Sequence, residues 1–233
     1  MSTTPLRVEE IYDLARSCFL GNGCDEANAD SLARTVAAAE RDEAVSHGLF
    51  RVPGYIKSLR SGKVDGSASP SETHLTTSAI RLDAQRGFAP LALEYGLPLL
   101  ADAAAETGVA VLLIRNSFHF AALWPEVEAL AERNLVGIAC TVHTPTVAPF
   151  GATKPFFSTN PISFAYPRPG RDPYVFDMAT SARAHGDIGI AARDGHELPP
   201  NTGLDADGNP TTDPHKVLDG GVLLPFGGYK GSA

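Results

Sequence analysis

A histidine and an arginine that lie four residues apart could act together on an acidic substrate. His47 follows Ser46 and precedes Gly48, and Arg51 comes next along the chain. If this stretch is helical, His47 and Arg51 lie on one face. Histidine can donate a proton near neutral pH, and arginine can hold a carboxylate through a bidentate pair, which suits a carboxylate next to a C=O or C=N group. From the spacing alone, a polar loop followed by a surface arginine is the better interpretation.

A second polar segment, residues 116–120 with the sequence Asn-Ser-Phe-His-Phe, follows a predicted apolar strand. Loops at the carboxyl ends of strands bind ligands in α/β sheets, and the N–H groups that open the next helix can hold phosphate oxygens. The sequence has no GxGxxG, so the ordinary dinucleotide fingerprint is absent. On local grounds, capping or packing is at least as good an interpretation of His119 as ligand binding.

Three segments nearer the C-terminus have both a chemical and a plain structural interpretation. Residues 158–161, Ser-Thr-Asn-Pro, could hydrogen-bond a carboxylate, but capping a turn is the better default. Asp177 ends a predicted strand, and residues 185–187, His-Gly-Asp, follow it. A buried carboxylate there could orient a catalytic histidine or serine, whereas a surface turn is the alternative. Residues 227–231, Gly-Gly-Tyr-Lys-Gly, could let the backbone and Lys230 approach a phosphate, but they lack the spacing of a P-loop.

The rest of the chain predicts a helical N-terminal part followed by an α/β core. Periodic apolar residues predict three helices in the first sixty residues, with Asp25 as the N-cap of the second and Pro53 in the early turns, or at a kink, of the third. Residues 61–71 are small and polar and predict a linker. From residue 76, strands alternate with helices, which favours an α/β layer. The expected elements are strands at 79–84, 109–114, 136–141, 162–166 and 174–178 and helices at 91–106 and 121–133, with strands 109–114 and 136–141 buried.

Composition and charge argue against several classes of function. Lys and Arg number 19 against 27 Asp and Glu, a net charge of -8, which argues against nucleic-acid binding. The apolar runs are too short for a membrane span, and the first residues lack the basic start and apolar stretch of a secretory signal. Three scattered cysteines without a CxxC pair predict neither a metal site nor a disulfide framework. We therefore expect a cytoplasmic protein that binds no metal, nucleic acid or membrane.

Five segments, in their order along the chain, resemble the malate/L-lactate dehydrogenase-like oxidoreductase family. They are residues 46–54, 116–120, 158–161, 176–180 and 225–231. That family binds NAD(P) in its own non-Rossmann fold, which accounts for the missing fingerprint, and the likeness covers nearly the whole chain. Within the family, residues 119–123, 185–187 and 226–233 are most similar to the Δ1-piperideine-2-carboxylate/Δ1-pyrroline-2-carboxylate reductases.

The resemblance implies roles for individual residues. His47 would donate the proton, with Ser46 and Asp187 as its relay. The substrate would contact Arg51, Thr159, His185 and Gly186. The cofactor, NADPH or alternatively NADH, would lie against His119, Phe120, Ala121, Ala122, Leu123, Asp177, Met178, Ala179, Gly228 and Lys230.

The expected activity is the NADPH-dependent reduction of these two cyclic imino acids to L-pipecolate and L-proline by a homodimer. Two alternatives stay open: an NAD-dependent 2-hydroxy-acid dehydrogenase of the malate/L-lactate type, and a non-catalytic binding or assembly fragment. The predicted organisation is a helical part at 1–75 with Ser46, His47 and Arg51, a strand-helix-strand piece of the catalytic core at 76–115, and an NADP-binding domain at 116–233. We expect that last domain to be incomplete, because family members continue beyond this segment.

Overall fold

The computed structural model describes residues 4–118 and 121–230, and the chain divides into two compact units between Leu135 and Val136. Its described helices are α1 (Val8–Leu20), α2 (Glu26–Arg41), α3 (Val52–Arg60), α4 (Ala89–Thr107), α5 (Trp124–Ala131), α6 (His185–Asp194) and α7 (Pro214–Leu218). The described strands are β1 (Ser71–Thr76), β2 (Ala79–Asp83), β3 (Val111–Arg115), β4 (Gly137–Cys140), β5 (Ile162–Arg168), β6 (Arg171–Met178), β7 (Gly203–Leu204), β8 (Pro210–Thr211) and β9 (Val222–Leu223).

The helical N-terminal part of the first unit forms as its pattern predicts. Asp25 caps α2, since its side chain accepts a hydrogen bond from the Asn28 N–H at 2.9 Å. Leu32 and Val36 of α2 are fully buried with Phe19 of α1 and Tyr55 of α3. Burying each side chain of this size stabilises the fold by about 1.5–3 kcal/mol. This core supports the segment that carries the predicted catalytic residues.

Residues 61–70 are not the linker that their composition predicts. Val64 and Ala68 are buried in the first unit, and the Ala68 carbonyl accepts a hydrogen bond from the Asn28 amide at 3.1 Å. The Gly66 carbonyl accepts the Asp25 N–H at 3.0 Å. Small residues here allow close backbone approach, because a Cβ on Gly66 would collide with the Gly23 carbonyl. The segment is therefore a packed loop.

The close approach of the backbone at Gly66 to that at Gly23 leads to a prediction about stability. Gly66→Ala should lower the free energy of unfolding by about 1–3 kcal/mol, because the added methyl meets backbone that has little room to move. The matched control is Gly54→Ala in α3, where the new methyl would meet nothing within 4 Å and should stabilise the helix by up to about 1 kcal/mol. Denaturant titrations of both variants check the pair. Equal stabilities would show that residues 61–70 are loosely packed.

The sheet of the first unit has the order β1-β2-β3, with β1 antiparallel and β3 parallel to β2. Helix α4 makes the crossover between β2 and β3, and it packs closely because a Cβ on Gly96 would lie 2.8 Å from a Leu112 methyl. Strand β3 is not buried as predicted. Val111 and Leu113 are 47% and 49% exposed, because only alternate side chains point toward α4. Strand β1 begins at the last residue of the expected linker, residues 61–71. It was not predicted from the sequence, because all of its residues are exposed.

The second unit contains the antiparallel sheet β4-β5-β6 and the small sheet β8-β7-β9. Strands β5 and β6 confirm the two short strands predicted from the sequence. Strand β4 was expected to be buried, but Ile138 is 68% exposed while Gly137 is buried. As with β3, one face of the strand packs on its unit and the other does not. In the described part of the chain, no helix is long and apolar enough to cross a membrane.

Candidate active site

The Ser-His-Gly segment folds as two single 3₁₀ turns, Val45–His47 and Leu49–Arg51, which meet at Gly48. His47 and Arg51 therefore do not lie on one continuous helix, which corrects the geometry that their spacing suggests. The His47 N–H donates to the Ala44 carbonyl at 2.7 Å, and the Arg51 N–H donates to the Gly48 carbonyl at 2.9 Å. Helix α3 begins immediately after Arg51, with Pro53 in its first turn.

Ser46 contacts the side chains of both the predicted proton donor and the arginine predicted to bind the substrate. Its hydroxyl lies 3.0 Å from Nδ1 of His47, and its carbonyl accepts a hydrogen bond from Nε of Arg51 at 2.7 Å. Ser46 is only 7% exposed, whereas His47 and Arg51 are half-buried. When the hydroxyl donates to Nδ1 of the neutral ring, the ring proton is on Nε2. The fold thus brings a histidine and an arginine together through one buried serine.

A buried tyrosine, Tyr55, lies near the arginine and also near a buried carboxylate. Burial raises the pKa of the Tyr55 phenol well above its ordinary value, the negative charge of Glu126 raises it further, and the positive charge of Arg51 lowers it. Glu126 is 8% exposed and lies in the first turn of α5. The start of α5 therefore contributes a negative charge to the surroundings of Tyr55. Neither Tyr55 nor Glu126 is singled out by a sequence motif.

Aromatic contacts connect α3 to the segment predicted to bind the cofactor. The Tyr55 ring packs edge-on against Phe88 at 5.3 Å between centroids, and Phe88 packs in the same manner against Phe118 at 6.3 Å. The Phe118 N–H donates to the Gly87 carbonyl at 2.9 Å. Edge-to-face aromatic pairs add about 0.5–1.5 kcal/mol beyond their burial. Phe118, the last described residue before the segment predicted to bind the cofactor, is therefore held against the core of the first unit.

The predicted cofactor residues His119 and Phe120 lie outside the described residues. Ala121 and Ala122 are half-buried, and Leu123 is buried. Next to them, the indole N–H of Trp124 donates to the Asp42 carboxylate at 2.9 Å. Asp42 follows α2 and precedes the Ser-His-Gly turns, so this bond joins the segment predicted to donate the proton to the end of the segment predicted to bind the cofactor. One feature of the sequence could have indicated this bond. The chain has a single tryptophan, and the indole N–H of a packed tryptophan needs a hydrogen-bond partner.

The hydrogen bond from Trp124 to the Asp42 carboxylate should weaken when that carboxylate is protonated in acid. Hydrogen bonds from Arg41 and Trp124 hold the pKa of Asp42 below 3.8. Its charge therefore stabilises the fold above the unfolded-state pKa, and this contribution is lost as the pH falls through the lower folded-state pKa. Because Trp124 is the only tryptophan, its emission should shift with a midpoint below pH 3.8, and Asp42→Asn should abolish that step. Far-UV circular dichroism is followed in parallel. If the emission of Asp42→Asn shows the same acid transition as the parent, the shift comes from unfolding and not from loss of the Asp42 charge.

The second unit brings three of the predicted segments together around Thr180. The Thr159 carbonyl accepts hydrogen bonds from the Thr180 N–H at 2.8 Å and from its hydroxyl at 3.1 Å. Asp177, Met178 and Ala179 directly precede Thr180 and are half-buried. The Thr180 carbonyl in turn accepts the Phe226 N–H at 2.9 Å. Hydrogen bonds thus join Thr159, Thr180 and Phe226, which brings Thr159 next to the ends of residues 177–179 and of the glycine-rich segment.

The glycine-rich segment has the conformation and the charge that a phosphate-bearing cofactor needs. Gly227 and Gly228 have φ angles of 72° and 61°, which glycine adopts readily. Successive backbone N–H groups in such turns can converge on an anion. Lys230 lies two residues farther on, with Nζ 6.0 Å from the centre of the Tyr229 ring. These residues fit the diphosphate of a nicotinamide cofactor without a Rossmann fingerprint.

Residues 185–187 open helix α6 and do not form a surface turn. The Asp187 N–H donates to the Ala184 carbonyl at 3.0 Å, and a carboxylate suits the first turn of a helix. Gly186 is buried, Asp187 is half-buried and His185 is exposed. Asp187 belongs to the second unit and Ser46 and His47 to the first, so the relay between them stays a prediction.

Known proteins resemble this chain over nearly its whole length. The malate/L-lactate dehydrogenase family matches residues 6–233. A Delta(1)-pyrroline-2-carboxylate/Delta(1)-piperideine-2-carboxylate reductase from Pseudomonas putida is 53% identical over all of this chain and 69% of its own length. A Delta(1)-pyrroline-2-carboxylate reductase from Burkholderia ambifaria is 46% identical over 98% of this chain and 67% of its own length.

Solved structures show the same likeness. The crystal structure of delta1-piperideine-2-carboxylate reductase from Pseudomonas syringae pv. tomato superposes with a TM-score of 0.94 at 50% identity, over 99% of this chain and 69% of that one. Malate dehydrogenase from Entamoeba histolytica superposes with a TM-score of 0.93 at 27% identity, over 99% of this chain and 68% of that one. The mixed α/β fold, the motif order and these matches agree, and the chain belongs to the malate/L-lactate dehydrogenase family.

Proposed function

We propose that this protein reduces Δ1-pyrroline-2-carboxylate and Δ1-piperideine-2-carboxylate to L-proline and L-pipecolate with NADPH. The observation that carries the proposal is the placement of His47 and Arg51 by a single buried residue, Ser46. The relative named as a reductase of both imino acids is 53% identical to this chain, and the relative named as a Delta(1)-pyrroline-2-carboxylate reductase is 46% identical. A cationic anchor beside a proton donor matches a substrate whose carboxylate adjoins the reducible C=N bond.

Each residue has a defined task in this proposal. Arg51 binds the substrate carboxylate with N–H groups other than the Nε–H that Ser46 holds, since a guanidinium has five donors. His47 supplies the proton that the ring nitrogen needs when the C=N carbon is reduced. A bound nicotinamide supplies the hydride. Binding, orientation and proton donation, and not redox chemistry, are therefore what the protein contributes.

The remaining assignments are proposals that rest on the family resemblance. Asp187 completes the relay with Ser46 and His47, and Thr159, His185 and Gly186 contact the substrate. The residues proposed to bind NADPH are His119, Phe120, Ala121, Ala122, Leu123, Asp177, Met178, Ala179, Gly228 and Lys230. For the glycine-rich segment, the left-handed glycines and the nearby lysine support the assignment. We also propose that the protein acts as a homodimer.

A substrate comparison tests the proposed function. The purified protein is assayed with each imino acid, with pyruvate and with oxaloacetate, using NADPH and NADH in separate reactions and following nicotinamide absorbance. We expect turnover of the imino acids, with NADPH preferred. Turnover confined to the 2-oxo acids would instead support a 2-hydroxy-acid dehydrogenase. Absence of turnover together with absence of NADPH binding would support a non-catalytic role.

The two ring sizes should be compared in the same assay. They differ by one methylene, which is worth about 1–3 kcal/mol in a hydrophobic pocket. A difference of this size changes the ratio of kcat/KM values without abolishing either activity. Both imino acids should therefore be substrates.

A further inference from the structure

The Glu40 side chain fills the space next to the Ser-His-Gly turns. Glu40 lies in the last turn of α2, and its Oε1 accepts a hydrogen bond from the Leu49 N–H at 2.7 Å. A Cβ on Gly48 would lie 2.5 Å from Cδ of Glu40 and closer still to Oε1, so the carboxylate occupies the place of the missing side chain. Glu40 thus contacts the chain at two of the three residues that separate His47 from Arg51.

This contact lies where the backbone changes from one turn to the next. Leu49 opens the second 3₁₀ turn, and the first N–H groups of a helical turn need partners from outside it. A carboxylate is a favourable partner there. The other end of the connection is also held, because the Ala44 N–H donates to the Ala39 carbonyl at 2.8 Å. A side chain on the long helix α2 therefore determines where the second turn begins.

We propose that Glu40 is a positioning residue for the reduction: by binding the Leu49 N–H and filling the space at Gly48, it sets the spacing between the His47 imidazole and the Arg51 guanidinium. The inference rests on the proposed function, because the reaction uses both side chains. Arg51 lies in the turn that Leu49 opens, so displacement of Leu49 moves Arg51 relative to His47. Misplacement of a reacting group by about 1 Å can reduce the rate by a factor on the order of 100.

Three variants of Glu40 separate geometry from charge. Glu40→Gln keeps an oxygen acceptor of the same reach without the charge, Glu40→Ala removes the acceptor, and Glu40→Asp keeps the charge but is one methylene shorter. We expect Gln to stay within about threefold of the parent kcat/KM and Ala to lose between about 10- and 100-fold. Asp should fall between them. Glu43→Gln is the matched control, since Glu43 is an exposed glutamate in the same connection.

The decisive readout is discrimination between two imines. Each variant is assayed with Δ1-piperideine-2-carboxylate and with Δ1-piperideine, which lacks the carboxylate, under conditions where circular dichroism shows the protein folded. If Glu40 sets the spacing, Glu40→Ala loses more activity on Δ1-piperideine-2-carboxylate than on Δ1-piperideine. A variant that is only less stable loses both equally. Equal losses on the two imines would overturn the proposal, and so would a Glu40→Gln variant as impaired as Glu40→Ala. If Glu40→Ala does not fold, the ratio of the two losses is measured in Glu40→Asp instead.

A second readout does not depend on activity. The imidazole resonances of His47 in NMR spectra should shift in Glu40→Ala and stay near the parent positions in Glu40→Gln. If the parent protein reduces no imino acid, the proposed function fails, and the His47 resonances alone decide the positioning role. If the parent is active but Glu40→Ala leaves both the resonances and the imine discrimination unchanged, only the positioning role fails.

Discussion

Replacing His47 with glutamine is expected to lower kcat for the imino acids by about 100- to 10,000-fold, the range that a positioned general acid contributes. Glutamine can still accept a hydrogen bond from the Ser46 hydroxyl, which lies 3.0 Å from Nδ1 in the parent, so the turn should keep its shape. The variant cannot donate a proton from an imidazolium. NADPH affinity, measured by fluorescence titration, should remain close to that of the parent.

The pH dependence of the same variant identifies the group. If protonated His47 is the acid, parent kcat falls as the pH rises through the pKa of this histidine, and that limb should be missing from the residual activity of His47→Gln. Ser46→Ala is the matched control: it removes the hydroxyl that orients the ring but leaves the imidazole, so its loss should be smaller. Near-normal turnover of His47→Gln at neutral pH would remove His47 from the mechanism.

Local patterns predicted the parts of the fold that depend on near neighbours in sequence. Asp25 is identified as an N-cap from its position before an apolar stripe, and the structure confirms the bond to the Asn28 N–H three residues later. The Ser46–His47 contact joins adjacent residues, and the family resemblance implied that these two residues act together. Helix α4 and strands β2, β5 and β6 follow the apolar periodicity in the same manner. The family resemblance rests on motifs of this short range.

Burial depends on elements far away in sequence, and there the predictions were wrong. Val111 and Ile138 belong to apolar runs typical of buried strands, but each points away from the layer that packs on its sheet. Conversely, the small polar composition of residues 61–70 predicts a linker, whereas Val64 and Ala68 are buried. The composition of a segment indicates which environments it can occupy, but tertiary contacts determine whether it is buried.

The supporting residues of the site escaped prediction for the same reason. Trp124 and Asp42 are 82 residues apart and Glu40 and Leu49 are nine apart, and neither pair forms a motif. The turns at residues 45–51 also could not be inferred from a spacing of four, because the chain breaks at Gly48, where the Glu40 carboxylate lies beside it. Sequence motifs thus predicted the reacting groups, and the structure was needed to find what contacts them.

Arg51→Met is expected to lower kcat/KM for Δ1-piperideine-2-carboxylate by roughly 30-fold or more, since loss of one partner of a hydrogen-bonded charge pair costs about 2–5 kcal/mol. The half-buried position of Arg51 favours the lower end of that range. Most of the loss should be in KM, because the substrate carboxylate is unchanged by the reaction and is bound equally in ground and transition states. NADPH affinity should not change.

Arg51 also holds the Ser46 carbonyl through its Nε at 2.7 Å, so a loss of activity alone would not prove that it binds substrate. Two comparisons separate the roles. Arg51→Lys keeps the charge but not the planar fork, and it should restore only part of the affinity. On Δ1-piperideine, which has no carboxylate, Arg51→Met should retain most of the parent activity if the arginine binds the carboxylate. If the arginine instead serves only to hold the Ser46 turn, both imines should lose activity by the same factor, because the displaced His47 would be equally unsuited to either.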